Sequence, residues 1–289
     1  MSTKRRKYID YDYDEVFDSS INELEEKEIE LALRNGKRAS AIATKTVKSG
    51  NQLEVEIYPE FTKRKHIKKD GRFKKRKDIQ NNLNAKNAKK TLIRLINTNF
   101  DERDYWLTLT YKDEPESYER ALKDVSNYIK CINRLRKKKD LKNAKYIYVV
   151  ETRKADGSDA RTHVHMVIEH GLTMDELESK WKHGSRNNCR KLDPDDEDGL
   201  TGLANYLAKE PRSTKYRKKW SSSKNLKKPE IRKNHRDFSN RKVKQMVQNT
   251  SMISNIMVSK YKAEFKDAEI KYNKYNNRFY LYIKMYFKE

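Results

Sequence analysis

The stretch "ARTHVHMVIEH", Ala160 to His170, decides the fold. Its two histidines, His163 and His165, sit one residue apart inside an apolar run. Side chains alternate along a strand, so positions two apart point to the same face. A strand here therefore carries two imidazoles side by side. Taken alone, the pair is either a metal clamp or two half-buried histidines with no chemistry, and the flanking sequence has to decide.

Upstream, "KYIYVVE" reads as a strand ending at Glu151, and "TRKADGSDAR" as a turn-rich connection. Eleven residues separate Glu151 from His163. If the two strands pair as a hairpin, Glu151 lies across the ladder near His163, because directly opposed residues share a face. Further upstream, "YWLTLTY" (Tyr105–Tyr111) alternates bulky residues with Thr108 and Thr110, a strand pattern. Between these strands, "SYERALKDVSNYIKCINRLRKKK" places Tyr118, Leu122, Val125, Ile129, Ile132 and Leu135 along one helical stripe. Its cationic end suits a helix C-terminus. Downstream, Thr173 and Glu176 have capping-box spacing and start a helix. "RNNCRKL" reads as a short strand and "GLTGLANYLAKE" as a helix with Leu200, Leu203 and Leu207 on one side.

The order β-α-β-β-α-β-α over residues 105–210 predicts an α+β domain. It is a ferredoxin-like (RRM-like) antiparallel sheet, with helices on one face and the other face open. Four segments are expected. Residues 1–37 are an acidic start. Residues 38–104 hold a hairpin around "KSGN", a basic linker and a helix. Residues 105–210 form the central domain. Residues 211–289 are a basic region ending in a hairpin over Asp267–Phe287.

Composition limits the partners. The 289 residues carry a net charge of +24, with 35% hydrophobic and 38% charged residues. Ile9–Glu30 is acidic, so the excess is larger over the rest of the chain. Lys63–Lys77 is almost wholly basic, and the basic Arg212–Lys244 interleaves Tyr216, Trp220 and Phe238 with its cations. Cations among aromatics suit a single nucleic-acid strand, whose phosphates and unstacked bases both need partners. No apolar run reaches the length of a membrane span, and the start lacks a secretory h-region. Cys131 and Cys189 match no zinc spacing, so a reduced, cytoplasmic protein is expected.

Glu151, His163 and His165 together offer two imidazoles and a carboxylate. Such a set can bind a divalent ion and leave positions open to substrate oxygens, with Mn²⁺ or Mg²⁺ favoured over a closed Zn²⁺ site. Glu169, on the histidines' parity, is a rival third ligand, whereas His170 falls on the other parity. Tyr206 and Lys209 are three apart on a helix and therefore neighbours. A phenol ionises near pH 10 and attacks poorly on its own, and a lysine beside it favours the phenolate.

"WLTLTY", "HVHM" and "YLAK", in this order, resemble the motifs of the His-hydrophobic-His (HUH) endonucleases. They are most similar to those of the single-tyrosine rolling-circle replication initiators (Rep proteins) of bacterial plasmids and phages. The resemblance covers the central domain. It implies a metal ion on His163, His165 and Glu151 and a single-stranded origin cut by Tyr206 with help from Lys209. The products are a 5′-phosphotyrosine link and a free 3′-hydroxyl. It also places Thr108, Thr110 and Tyr111 near the site as fold and DNA contacts, with Arg161 on a phosphate. The partners implied are origin DNA, a host helicase and a host DNA polymerase, with self-association left open and no membrane. Neither a second tyrosine in the Tyr206 helix nor a "GxxxxGK[ST]" loop is present. Two other readings stay open: a single-tyrosine transposase of the same chemistry, and a basic single-strand-binding protein without catalysis.

Overall fold

The computed structural model describes residues 19–36, 39–61, 77–153, 159–184, 187–208, 220–273 and 276–288. In chain order the elements are β1 (Ser19–Ser20), α1 (Glu26–Asn35), β2 (Ala41–Ser49), β3 (Gln52–Glu60), α2 (Lys77–Asn99), β4 (Tyr105–Thr110) and α3 (Tyr118–Lys138). They continue as β5 (Tyr146–Arg153), β6 (Asp159–Ile168), α4 (Met174–Ser179), β7 (Asn188–Lys191), α5 (Thr201–Leu207), β8 (Ser221–Ser222) and β9 (Glu230–Asn234). The chain ends with α6 (Asn240–Gln248), α7 (Ser251–Tyr261), β10 (Glu264–Asn273) and β11 (Arg278–Tyr286). Two compact units form, one from residues 1–86 with 229–289, the other from residues 87–228.

In the unit of residues 87–228 the sheet order is β7-β4-β6-β5-β8, and every pairing is antiparallel. The β4-α3-β5 crossover leaves a slot between its strands, and β6 fills it. That is the split β-α-β of the ferredoxin-like arrangement, so the α+β reading holds. Alternation sets the faces. Val164, Met166 and Ile168 of β6 are at most 1% exposed and pack with Val125, Ile129 and Ile132 of α3. Because that face is filled, a one-residue slip of β6 would bury the histidines instead, and the register is strongly specified. The capping box predicted at Thr173 and Glu176 is formed, each side chain meeting the other's backbone N–H.

The second face is not open along its whole length. Leu92 and Ile96 of α2 and Ala204 and Leu207 of α5 pack there on Trp106, Ile147, Val149 and Val167. Only the end carrying His163 and His165 lies beyond this cluster. The predicted β-hairpins exist as β2–β3 and β10–β11, joined side by side by pairing of β11 with β3. The sheet of residues 1–86 and 229–289 has the order β1-β10-β11-β3-β2-β9. Its core lies with α1, α6 and α7, through residues such as Leu33, Met246 and Met257. The acidic start through residue 18, the basic run over residues 62–76, Tyr216, and part of the "KYNN" turn fall outside the described residues. Among the described residues no helix is long and apolar enough to cross a membrane.

Candidate active site

β6 delivers His163 and His165 to one face, and its neighbours fix what stands beside them. Register pairs Glu151 and Thr110 with His163, and Val149 and Thr108 with His165. The hairpin expected from the sequence therefore puts the carboxylate at the histidines. Glu151 Oε2 lies 3.4 Å from Nε2 of His163 and 3.4 Å from Nε2 of His165.

The far nitrogens define what these near ones offer. His163 Nδ1 is 2.8 Å from the Arg161 carbonyl, which can only accept, so His163 donates from Nδ1. His165 Nδ1 meets the Thr108 hydroxyl at 3.3 Å. In the neutral tautomer set by Arg161, His163 presents a lone pair at Nε2 toward a carboxylate oxygen. Two lone pairs facing each other at that distance repel. Either the imidazole is fully protonated, or a cation belongs between them. Ligand atoms about 2.1 Å from one ion lie roughly 3 Å apart when they subtend a right angle. The spacings at Glu151 are close to that, and the three ligand atoms lie within 4.8 Å of one another. The donor set fits a divalent ion.

Tyr206 completes the constellation from α5. Its Oη is 3.2 Å from His165 Nε2. The residue is 39% exposed, against 5% for His165, so a substrate can reach the phenol. Two features hold it there. Ala204 and Leu207 anchor α5 in the apolar cluster, and Asn97 of α2 ties down its start. Asn97 Oδ1 accepts from Leu200 N at 2.8 Å, and its Nδ2 donates to Thr201 Oγ1 at 3.2 Å. Trp106 lies beneath both reactive rings, stacked on His165 at 5.0 Å and 20° and edge-on to Tyr206 at 5.9 Å. Neither Asn97 nor the role of Trp106 was read from the sequence. Trp106 opens the "WLTLTY" strand, and its parity with Thr108 was the available signal.

The other sequence-predicted residues are placed as follows. Lys209 lies outside the described residues. Thr110 stands beside His163, with its backbone carbonyl taken by Trp181 Nε1 at 2.7 Å. Tyr111 is 4% exposed, packs in the α3-side core, and donates to Asp124 Oδ2 at 3.4 Å. Burial and the Asp124 charge push its phenol well above the usual range. Arg161 is exposed and donates to the Lys112 carbonyl. Glu169 is not brought to the histidines. It pairs with Arg136 at 3.1 Å and Lys145 at 3.3 Å.

A second group, Asp101, Asp104 and His170, also brings possible ligand atoms together. Its oxygens are already engaged. Asp104 Oδ1 accepts from the backbone N and Nδ1 of His170, and its Oδ2 from Asp101 N. The Arg103 guanidinium takes both Asp101 oxygens and holds that carboxyl below its usual range. This group closes a turn.

No curated protein and no solved structure matches the chain significantly. Residues 104–211, a little over a third of the chain, match a family model of replication-associated proteins of the ORF2 type. That segment begins at β4 and runs past Tyr206, so the part of the chain that assembles this constellation is the part similar to replication-associated proteins.

Proposed function

We propose that the chain is a rolling-circle DNA replication initiator of the HUH endonuclease type, a metal-dependent single-strand nickase and strand transferase. One observation carries this reading: Tyr206 Oη stands 3.2 Å from an imidazole that shares a carboxylate neighbour with a second imidazole. A nucleophile, a three-ligand cation site and solvent access meet at one place. Glu151, His163 and His165 would hold the ion, Mn²⁺ or Mg²⁺. Bound there, it would act as a Lewis acid toward a phosphate oxygen.

The chain's own residues do the rest. Tyr206 Oη attacks the phosphorus of a single strand, the Oη–P bond forms and the P–O3′ bond breaks. The phenol gives up its proton, and the departing oxygen takes one to become the free 3′-hydroxyl. The phosphotyrosine link conserves the phosphodiester, so rejoining needs no external energy source. Lys209 is proposed to favour the phenolate. Thr108 and Arg161 hold the imidazoles through their Nδ1 atoms. Thr110 lies at the mouth of the site, while Tyr111 supports it from the opposite core. Strand opening and extension fall to a host helicase and DNA polymerase, and the protein is placed in the cytoplasm.

The family match favours replication over transposition. A purely binding protein of the same fold would need neither an ion nor Tyr206. The deciding experiment incubates the protein, and Tyr206→Phe, with labelled single strands tiling its own coding DNA, in Mn²⁺ or EDTA. A denaturant-resistant adduct that needs Mn²⁺ and is lost in the variant is expected. Tight binding without any adduct, on both linear strands and supercoiled duplex, would return the chain to the binding-protein reading.

A further inference from the structure

Among the described residues, two hydroxyls buried without a hydrogen-bond partner, Thr44 Oγ1 and Tyr261 Oη, line a single cavity of about 380 Å³. It lies in the unit of residues 1–86 and 229–289, between the β2–β9 edge and the end of α7. Thr44 is 1% exposed. A hydroxyl removed from water with nothing to bond keeps its full desolvation penalty, so a pair of them around one void marks a place where a polar ligand is missing. The volume is in the range of small-molecule sites.

The lining defines the ligand. Deep in the cavity are hydroxyls that can donate or accept. Phe287 and the Tyr261 ring give an aromatic wall. At the rim stand cations on exposed positions: Lys48, 4.5 Å above the Phe287 ring, and Arg232 on the edge strand β9. Carboxylates also line the cavity, Glu230 against Arg232 at 2.7 Å and Asp237 against Lys260 at 2.9 Å. A free anion seated inside would meet these carboxylates. A flat, neutral heteroaromatic ring with donor and acceptor edges would not, and its attached phosphate would stay at the cationic rim. Aromatic stacking plus cations along the backbone is how single strands are held.

The geometry points to a pocket for one unstacked nucleobase of a DNA strand, read by Thr44 and Tyr261, with its phosphate at Lys48 and Arg232. This goes beyond the nuclease reading and uses none of its residues.

The test titrates the full-length protein, in EDTA, with each of the four deoxynucleoside 5′-monophosphates and with inorganic phosphate. At least one nucleotide is expected to bind saturably and to outcompete inorganic phosphate. Thr44→Val and Tyr261→Phe keep shape and remove one hydroxyl each. Each should weaken that nucleotide roughly fivefold, the effect of one hydrogen bond. Without nucleotide, each should melt no lower than the parent, because an unpartnered hydroxyl has gone. Three results would overturn the assignment: no saturable binding of any nucleotide, equal competition by inorganic phosphate, or parental affinity in both variants. EDTA suppresses the Tyr206 reaction, so this outcome is independent of whether a covalent adduct forms.

Discussion

Thr108 and the Arg161 carbonyl decide which nitrogen each histidine turns toward Glu151. Groups that take the outer N–H of a ligating imidazole fix its tautomer, and their loss typically costs 10–100-fold in metal affinity. Thr108→Val should therefore weaken Mn²⁺ binding by roughly that range, while Thr108→Ser restores it. A purely structural role for Thr108 would not separate the two variants when Mn²⁺ binding is measured by calorimetry. Tyr206 bears on the same imidazole from the other side. His165 Nε2 has one lone pair, and the Tyr206 hydroxyl and an ion compete for it. Tyr206→Phe should then bind Mn²⁺ about fivefold more tightly although it cannot form the adduct. Unchanged or weaker affinity would mean that the phenol and the ion do not share that lone pair. The half-buried Cys189 gives a control for folding. Burial, with Glu178 nearby, pushes its thiol up to about 12. It should therefore react with iodoacetamide at pH 8 far more slowly in the native protein than in denaturant.

At the scale of elements, the short helix α5 depends on its surroundings, because seven residues do not hold a helix in water. Gly202 sits within it, and an added Cβ would meet nothing within 4 Å. Gly202→Ala should stabilise the protein by about 0.5–1 kcal/mol through lost unfolded-state freedom, seen as a melting temperature raised by a few degrees. A lower melting temperature would mean that α5 is not helical there. Gly184 is the opposite case. A Cβ there would lie 2.1 Å from the Thr110 carbonyl, so the end of β4 beside His163 would have to move. Gly184→Ala should therefore cut adduct formation as well as stability. The contrast also marks what the sequence made legible. Alternation in "YWLTLTY" and "THVHMVIE" gives the strands, and the hairpin gives Glu151 against His163, because local pattern determines both. Asn97 bonds α5 across 103 positions of sequence, and no pattern at either end announces it. The covering of the second sheet face by α2 was hidden for the same reason: its stripe shows that a face is buried, not against what.

For the whole molecule, the difference between the two units is continuity. Residues 87–228 run unbroken through one sheet, with apolar clusters on both of its faces. The other unit is assembled from both ends of the chain, since β11 pairs with β3 from Leu281 opposite Ile57 to Tyr286 opposite Gln52. Each hairpin was legible from its own alternation, but their union in one sheet was not, because strand partners more than two hundred residues apart leave no local trace. This arrangement makes a prediction about dissection. Deleting residues 264–289 removes the strand beside β3 and uncovers Val55 and Ile57, both at most 1% exposed. It also removes β10, the only partner of β1 among the described residues. That unit should unfold, while residues 87–228 keep their own sheet and cores. Limited proteolysis of the truncated chain should then leave a resistant fragment close to residues 87–228, and that fragment should still bind Mn²⁺ through Glu151, His163 and His165. If the truncation instead makes the 87–228 region equally sensitive to protease, the two units do not fold independently, and the metal site depends on the sheet built from the chain's two ends.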